Sequence, residues 1–355
     1  MSSLDAEVVV VGAGVTGLAT ARALARQGRD VVLVEQFRVG HARGSSHGGS
    51  RIFRLSYPDP QWVRLALEAL PLWHQLEAEA GVTVLERHGS LDFGDWQPNQ
   101  AALAANGIGS DVLERAEIER RFPLRAAPGE RGLWEPTGGI VRADLAQTAL
   151  RDGGVAAGVR LLEETRVTAL EHDGDAVRVS ARGLSLRARG VVVTAGAWAR
   201  ALLAPVGVEL AVVPTRETVS YFALEHEGEV PSLIDPVEGD APDQLGYALV
   251  APGVGLKAGI HHTGAEADPD EPGAPEPRIA EWTADWVARR FRDASPTAAP
   301  ETCIYTNTAD ESFVLQHLGR IVVGSACSGH GFKFAPAIGE RLAALVTETG
   351  LAPAA

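Results

Sequence analysis

The sequence predicts an α/β fold, α+β overall, in which a parallel-sheet unit at the N-terminus is followed by a second part built on a mixed or antiparallel sheet. Two observations carry this prediction. At the start of the chain, an apolar run, a glycine-rich turn, an Ala/Leu-rich stretch and a second apolar run are ordered as strand, helix and strand. Further along, this alternation is not sustained, and short strand-like segments follow one another instead.

Three glycines follow the first apolar run, residues 8–11, in the spacing G-x-G-x-x-G. Gly12 allows the tight turn from strand to helix, Gly14 lets the backbone approach a pyrophosphate, and Gly17 allows close packing of the helix on the strand. The second apolar run ends at Glu35, whose carboxylate would accept a hydrogen bond from a ribose hydroxyl. The pattern predicts a Rossmann-like dinucleotide site, and by itself it leaves NAD(P) and FAD open.

Length and composition indicate a globular protein of about two domains. The 355 residues are 45% hydrophobic, and 32 Lys and Arg against 46 Asp and Glu give a net charge of −14, which repels nucleic acid and anionic membranes. The sequence shows no bilayer-spanning apolar stretch and no basic start of a signal peptide. The only two cysteines, Cys303 and Cys327, are expected to be reduced, and we predict a cytoplasmic protein without nucleic-acid or membrane partners.

The remaining periodicities predict helices and strands in an irregular order. In chain order we expect an amphipathic helix over 61–79 that Pro71 could bend, strands within 82–93, a helix from Asp144, strands over 160–170, 176–180 and 184–194, a surface loop over 264–277, a helix that buries Trp282 and Trp286, and a last helix over 336–347.

Two segments carry chemistry that nucleotide binding alone does not require. The loop 44–54 contains Arg51 and Arg54, although a solvated basic turn would have the same composition. Segment 328–334 places Lys333 between two phenylalanines just before a helix. A desolvated lysine needs an anionic partner, such as a substrate carboxylate or a flavin oxyanion.

The strings Cys-x-Tyr-Thr at 303–306 and Ser-Gly-His-Gly-Phe-Lys-Phe at 328–334 are more specific than the glycine motif. With them, the chain resembles the monomeric sarcosine oxidase and N-methyltryptophan oxidase group of the glycine/D-amino-acid oxidase superfamily of flavoproteins. The resemblance runs from Gly12 to the helix after Lys333 and implies FAD as the dinucleotide. We assign residues 1–60, 136–210 and 312–355 to a discontinuous, Rossmann-like FAD-binding domain and residues 61–135 and 211–311 to a substrate-binding and catalytic domain.

The resemblance also implies roles for individual residues. Arg54 and Lys333 would clamp the substrate carboxylate, since two cations can fix an amino acid with its reactive carbon toward the flavin. Arg51 would lie over the flavin ring, and Lys257 would activate oxygen as a fixed positive charge. Cys303 would attach FAD through a thioether to the flavin 8α carbon, because a thiolate is a strong nucleophile.

Three further side chains match positions that line the substrate cavity in this group. Tyr247 is assigned to substrate binding, and His261 and Tyr305 join Lys257 and Arg51 as catalytic residues, although Tyr247 and His261 could equally be ordinary core residues. Cofactor contacts are predicted at Gly12, Gly14, Val15, Thr16, Gly17, Glu35, Gln36, Ser45, His47, Ser50, Arg51, Val167, Gly196, Trp198, Cys303, Gly329, Gly331, Phe332 and Lys333.

The resemblance implies a monomeric flavoprotein oxidase whose partners are a small amino acid and O₂. It would oxidise the C–N bond of a secondary amino acid, either an N-methyl amino acid such as sarcosine or a cyclic imino acid, to an imine, and O₂ would be reduced to H₂O₂. No metal ion is expected, because His47, His261 and His262 do not form a convincing ligand set.

The substrate identity stays open, because segment 225–244 matches nothing in the pattern of the group. Three other classes also remain open: a nicotinamide dehydrogenase, an FAD-dependent dehydrogenase that passes electrons to an acceptor other than oxygen, and a non-catalytic flavin-binding subunit. Cys303 has no use in the first class, and the cations Arg54, Lys333 and Lys257 have none in the last.

Overall fold

A computed structural model describes residues 4–224, 230–237 and 244–348 of the protein. In chain order the strands are β1 (Ala6–Val11), β2 (Val31–Val34), β3 (Ser50–Phe53), β4 (Leu85–Glu86), β5 (Ser90–Asp92), β6 (Asp111–Glu114), β7 (Arg131–Glu135), β8 (Gly139–Arg142), β9 (Arg160–Leu162), β10 (Val167–Asp173), β11 (Ala176–Ala181), β12 (Leu184–Val193), β13 (Val213–Ala223), β14 (Ser232–Pro236), β15 (Leu245–Ala251), β16 (Gly255–Ile260), β17 (Ala265–Glu266), β18 (Ser295–Asn307), β19 (Val314–Leu318) and β20 (Ile321–Ser325). The helices are α1 (Val15–Arg26), α2 (Pro60–Ala80), α3 (Gln97–Ala105), α4 (Arg115–Arg121), α5 (Ala143–Ala156), α6 (Ala199–Leu203), α7 (Pro277–Arg290) and α8 (Ala335–Glu348).

The first sheet is centred on the N-terminal strand. Its order is β10-β11-β12-β1-β2-β9, with β20 beside β12 and β19 beside β20. Strand β1 is parallel to both β2 and β12, with Val9 opposite Val32 on one side and Val191 on the other. The unbroken apolar run that predicted β1 is buried on both faces, as a central parallel strand requires. Helices α1, α5 and α8 pack together in the core beside this sheet.

The second sheet has the order β17-β13-β16-β15-β14-β5-β7-β6, with β18 beside β13. All of its pairs are antiparallel except β14 with β5. Its core contains Phe222 and the helix α7 residues Trp286 and Val287. The predicted α/β class with a second, mixed or antiparallel sheet is therefore confirmed.

A small third sheet, β3-β8-β4, carries Arg51 on β3. Helix α2 follows that strand, is capped by Asp59, which accepts from the Gln61 N–H at 2.8 Å, and ends at Gly81 with φ +67°. Although the predicted boundaries put α2 in the second domain, its buried residue Trp73 packs in the same core as α1, α5 and α8. We retain the two-domain division as a proposal.

Several predicted elements differ from the structure in extent. Segment 82–93 forms only the two short strands β4 and β5, and segment 264–277 contains the two-residue strand β17. Trp286 is buried as predicted, whereas Trp282 is only partly buried. Residues 225–229 and 238–243 of the unmatched segment lie outside the described residues. Within the described part of the chain, the helices are too short or too polar to cross a bilayer.

Candidate active site

A cavity of about 900 Å³ is lined by residues from all three sheets. The turn after β1 contributes Gly12 and Gly14, β3 contributes Arg51, and β16 contributes Lys257. This volume lies at the upper end of the range for small-molecule and cofactor sites, roughly 300–1,000 Å³. The fold therefore brings the glycine turn and the chemically distinctive segments of the sequence to one place.

Most of the predicted site residues line this cavity. They are Gly12, Gly14, Val15, Thr16, Glu35, Gln36, Ser45, Ser50, Arg51, Arg54, Val167, Gly196, Trp198, Tyr247, Lys257, His261, Cys303, Tyr305, Gly329, Gly331, Phe332 and Lys333. Two predicted cofactor residues, Gly17 and His47, are not part of the lining. A Cβ on Gly17 would lie 1.8 Å from the Gly12 carbonyl oxygen, which assigns Gly17 to helix–strand packing.

The glycine turn has the geometry of a dinucleotide site. Gly12 has φ +97°, and a Cβ there would lie 2.7 Å from the Thr194 carbonyl oxygen. The turn delivers the N-terminus of α1 to the cavity, where backbone N–H groups favour an anion. Glu35 is fixed beside it, because its carboxylate accepts from the Ala13 N–H at 2.7 Å and the Phe37 N–H at 2.9 Å.

Arg51 and Lys257 place two positive groups in the cavity lining. Arg51 holds its own loop by donating from Nη2 to the carbonyl oxygens of Ser45 at 2.8 Å and His47 at 2.6 Å. Lys257 is buried, and burial and the charge of Arg51 lower its pKa to about 7. Cys303, on β18, is also buried in the lining and is a free thiol.

A second pair of cations, Arg54 and Lys333, also lines the cavity. The Lys333 ammonium donates to the Tyr57 hydroxyl at 2.8 Å and to the His330 carbonyl at 2.7 Å. The Arg54 guanidinium lies 4.2 Å from the centre of the Tyr57 ring and donates to the Ser56 carbonyl at 2.6 Å. Burial and the charge of Arg54 hold the pKa of Lys333 well below its usual range, whereas Arg54 itself lies 3.7 Å from a carboxylate oxygen of Asp92.

Three further side chains of the lining, His261, Tyr247 and Tyr305, are uncharged at neutral pH. Burial and His262 lower the pKa of His261 to about 3, and burial raises the pKa values of Tyr305 and Tyr247. The Tyr247 hydroxyl packs over Gly259, where a Cβ would lie only 2.6 Å away. The cavity lining therefore combines cations with neutral polar groups.

His261, His262 and Glu311 form a cluster that the sequence did not reveal, with ligand-capable atoms within 4.8 Å of one another. The two imidazole rings are stacked, with centroids 3.9 Å apart and an angle of 20°. Lone pairs of nearly parallel rings do not converge on one point, as the ligands of a metal ion must. His262 is instead paired with Glu311 at 3.2 Å, and that pairing raises its pKa.

Gly329 is required by the packing of the catalytic candidates. It has φ +73°, and a Cβ there would lie 2.5 Å from the His261 ring and 2.4 Å from the Tyr305 ring. We expect Gly329→Ala to displace one of these rings, to lower the melting temperature and to reduce activity. Gly319→Ala is the matched control, because Gly319 has φ +62° with no other described atom within 4 Å of its Cβ position. The control isolates the backbone strain of about 1–2 kcal/mol, and equal losses in both variants would contradict the steric argument.

The comparison with known families decides the class of the protein. Residues 7–345 match the family described as FAD dependent oxidoreductase (DAO). The protein belongs to this family. The resemblance inferred from the sequence, the FAD cofactor and the oxidoreductase class are thereby confirmed for this DAO protein.

Relatives of known name match this DAO protein over nearly its full length. The peroxisomal sarcosine oxidase of Homo sapiens is 34% identical over 95% of this chain and 90% of its own. The monomeric sarcosine oxidase of Bacillus sp. (strain B-0618) is 31% identical over 96% and 91%. Among solved structures, the open form of NikD, described as an unusual amino acid oxidase essential for nikkomycin biosynthesis, is 28% identical, with a TM-score of 0.86 over 97% of this chain and 94% of that one.

Sequence reasoning missed several residues of the DAO protein's cavity. Tyr57 lies between the two cations, and its position three residues after Arg54 is the only sequence signal for it. His262 and Glu311 also line the cavity. Cys327, expected from the sequence only to be reduced, lines it as well, and its sulfur lies 3.3 Å from the Thr306 nitrogen.

Proposed function

We propose that the protein is a flavoprotein oxidase that oxidises the C–N bond of a secondary amino acid to an imine and transfers the electrons to O₂. The observation that carries this proposal is that two cations, the buried Lys333 and the half-buried Arg54, line the same cavity as the Gly12–Gly14 turn. The names of the two sarcosine oxidase relatives support an N-methyl amino acid as substrate. A cyclic imino acid satisfies the same pair of cations.

The residues present fit FAD. The glycine turn, with the α1 N-terminus and Glu35, would hold the pyrophosphate and ribose, and the lining residues Val167 and Trp198 would hold the adenosine end. Cys303 would be tethered to the flavin, and Arg51 would lie against the ring. When bound, FAD supplies the electron acceptor for the C–N bond, and the protein supplies position and charge.

Arg54 and Lys333 would bind the substrate carboxylate. Lys333 is buried and the Arg54 side chain is only 14% exposed, so a bound carboxylate replaces much of the lost hydration of two cations. Arg54 can bind it through two parallel hydrogen bonds and Lys333 as a point charge. This fixes the amino acid at one end, so that its α-carbon and amine lie toward the centre of the cavity.

His261, Tyr247 and Tyr305 would surround the amine. A histidine with a pKa of about 3 is neutral at physiological pH, and both tyrosines keep their protons. A neutral imidazole and neutral hydroxyls can donate or accept a hydrogen bond but add no charge. We therefore infer that the site binds the uncharged amine, the form whose nitrogen lone pair is available for oxidation.

A peroxide-coupled screen over N-methyl and cyclic amino acids tests the proposal. We expect H₂O₂ from at least one of these substrates, and about 100-fold lower kcat/KM for the matching amide, which lacks the carboxylate that two cations would bind. The same substrates are tested with an artificial electron acceptor under nitrogen. Turnover with that acceptor but no oxygen uptake would identify a dehydrogenase, and absence of flavin reduction by every substrate would exclude catalysis.

We also propose that the protein is a monomer, that it holds no metal ion and that it lies in the cytoplasm. The name of the Bacillus relative supports the monomeric state. The net charge of −14 supports the absence of nucleic-acid partners. Light scattering of the purified holoenzyme measures its mass directly, and the mass of a dimer would contradict the proposed monomeric state.

A further inference from the structure

Tyr57 connects the two cations of the proposed carboxylate site. Its hydroxyl accepts a hydrogen bond from the Lys333 ammonium at 2.8 Å, and its ring face lies 4.2 Å from the Arg54 guanidinium carbon. The side chain is buried, and burial raises its pKa to about 12, so it stays neutral. A single rigid side chain therefore sets the spacing between a point charge and a planar cation.

Asp92, on strand β5, is a second neighbour of Arg54. One carboxylate oxygen, Oδ2, lies 3.7 Å from Arg54 Nη1 and accepts hydrogen bonds from the Ser56 hydroxyl and, at 2.9 Å, from the Asn99 amide. The other oxygen, Oδ1, is buried without a hydrogen-bond partner among the described residues. Arg54 is thus the cation that faces this buried carboxylate.

The contacts of Arg54 determine which of its edges a ligand can use. Its bonds to the Ser56 carbonyl and its approach to Asp92 both involve Nη1. The edge formed by Nε and Nη2 would then bind a carboxylate, whose two oxygens match two parallel N–H groups. Because Nη1 is already held in place, the Arg54 side chain loses less conformational entropy when a ligand binds.

We propose that Tyr57 and Asp92 are positioning residues that preorganise Arg54 and Lys333 for a substrate carboxylate. The inference rests on the proposed function, since it assumes that these two cations bind that carboxylate. It adds the reason why the pair keeps a fixed geometry in a buried site. Tyr57 acts through Lys333 and Arg54, and Asp92 acts through Arg54 alone.

The test measures binding of two ligands of nearly equal shape to the holoenzyme by calorimetry. Methoxyacetate has the carboxylate of N-methylglycine but an ether oxygen that cannot be oxidised, and methoxyacetamide is its neutral counterpart. In Tyr57→Phe, which keeps the ring, we expect the Kd of methoxyacetate to rise about tenfold, because the charged Lys333 loses one hydrogen bond. The Kd of methoxyacetamide should not change.

The pH dependence separates positioning from a loss of structure. Besides Tyr57, the titratable or charged groups facing Lys333 are Arg54 and His330, and the pKa of His330 is lowered to about 3, so its ring stays neutral. Removing an acceptor disfavours the charged form of Lys333. The loss of methoxyacetate affinity with rising pH should therefore begin at lower pH in Tyr57→Phe, and binding should recover toward the wild-type value on acidification. A pH-independent loss would overturn the role of Tyr57.

Asp92→Asn tests the second residue, because the amide keeps the shape and can still accept from Ser56 and Asn99. We expect about tenfold weaker methoxyacetate binding as Arg54 loses its anchoring charge. Unchanged or tighter binding would overturn the role of Asp92, since tighter binding means that its carboxylate competes with the ligand for Arg54. Melting temperature and FAD content show whether each variant is folded.

Tyr221→Phe is the matched control. It also removes a tyrosine hydroxyl, which donates to Glu301 at 3.0 Å outside the cavity lining, and both affinities should stay at the wild-type values. Different results would contradict the carboxylate site and the positioning role of Tyr57. If the wild-type protein does not prefer methoxyacetate to methoxyacetamide, the proposed carboxylate site is wrong; if it does and Tyr57→Phe has no effect, only the positioning role is wrong.

Discussion

Lys257→Met should slow the reaction of the reduced enzyme with O₂ by about 100-fold or more, while reduction of the enzyme by substrate changes little. Lys257 is a buried residue of the cavity lining and lies within reach of the charge of Arg51. A fixed charge in a water-excluded site stabilises negative charge that develops on oxygen, an effect of about 10²–10³ for a single group. Methionine matches lysine in length but has no charge. Stopped-flow measurements of the two half-reactions provide the test.

Lys333→Met is the matched control, since it removes the other buried lysine of the cavity. Lys333 lies at the carboxylate end, so its loss should weaken substrate binding and slow reduction while the oxygen reaction stays near the wild-type rate. The two variants therefore have opposite expected patterns. If Lys257→Met slowed both half-reactions equally, its proposed role in oxygen activation would be wrong.

The pH dependence of the oxygen reaction provides an independent check on Lys257. Burial and Arg51 lower its pKa to about 7, so its positive charge is present below this pH and is lost as the pH rises through it. The rate constant for the oxygen reaction of the wild-type enzyme should therefore fall in a step as the pH rises through this pKa. A bound anion that favours the charged lysine would move the step to higher pH. In Lys257→Met the step should be absent.

The N-terminal part of the fold could be predicted from sequence because its signals are local. The apolar runs that became β1 and β2, the turn at Gly12 and the helix after it each follow from a pattern within a few residues. For the second sheet, only its mixed or antiparallel nature was predicted. Its strand order depends on contacts such as that of β5 with β14, which are far apart in the chain and have no local signal.

The residues of the candidate site also divide into those with a local signal in the sequence and those without one. Lys333 was noticeable because a charge between two phenylalanines is unusual, whereas the roles of Arg54 and Lys257 followed from the family resemblance. Asp92 could not be predicted, because it lies on a strand of another sheet and meets Arg54 only in the folded chain. Tyr57 was missed for a related reason, since nothing in the sequence separates a tyrosine that bridges two cations from one that fills a core.

Cys303→Ser should release all of the flavin into the supernatant when the holoenzyme is precipitated with acid, whereas the wild-type protein should retain it in the pellet. Cys303 and Cys327 are both free thiols in the cavity lining, so position alone does not select one of them. Cys303 is the residue that the resemblance selects, in the Cys-x-Tyr-Thr string on β18. Serine keeps nearly the same size, and its hydroxyl is a much weaker nucleophile at neutral pH, so the variant tests bond formation rather than packing.

Cys327→Ser is the control, and it should retain flavin in the pellet as the wild-type protein does. The Cys327 sulfur lies near the Thr306 nitrogen and the Ser45 hydroxyl, and burial raises its pKa, which disfavours the reactive thiolate. Mass spectrometry of the intact chains measures the same outcome as a mass increase equal to one FAD. Flavin retained in Cys303→Ser but lost in Cys327→Ser would move the attachment to the second cysteine, and flavin released from the wild-type protein would show that FAD is bound without a covalent bond.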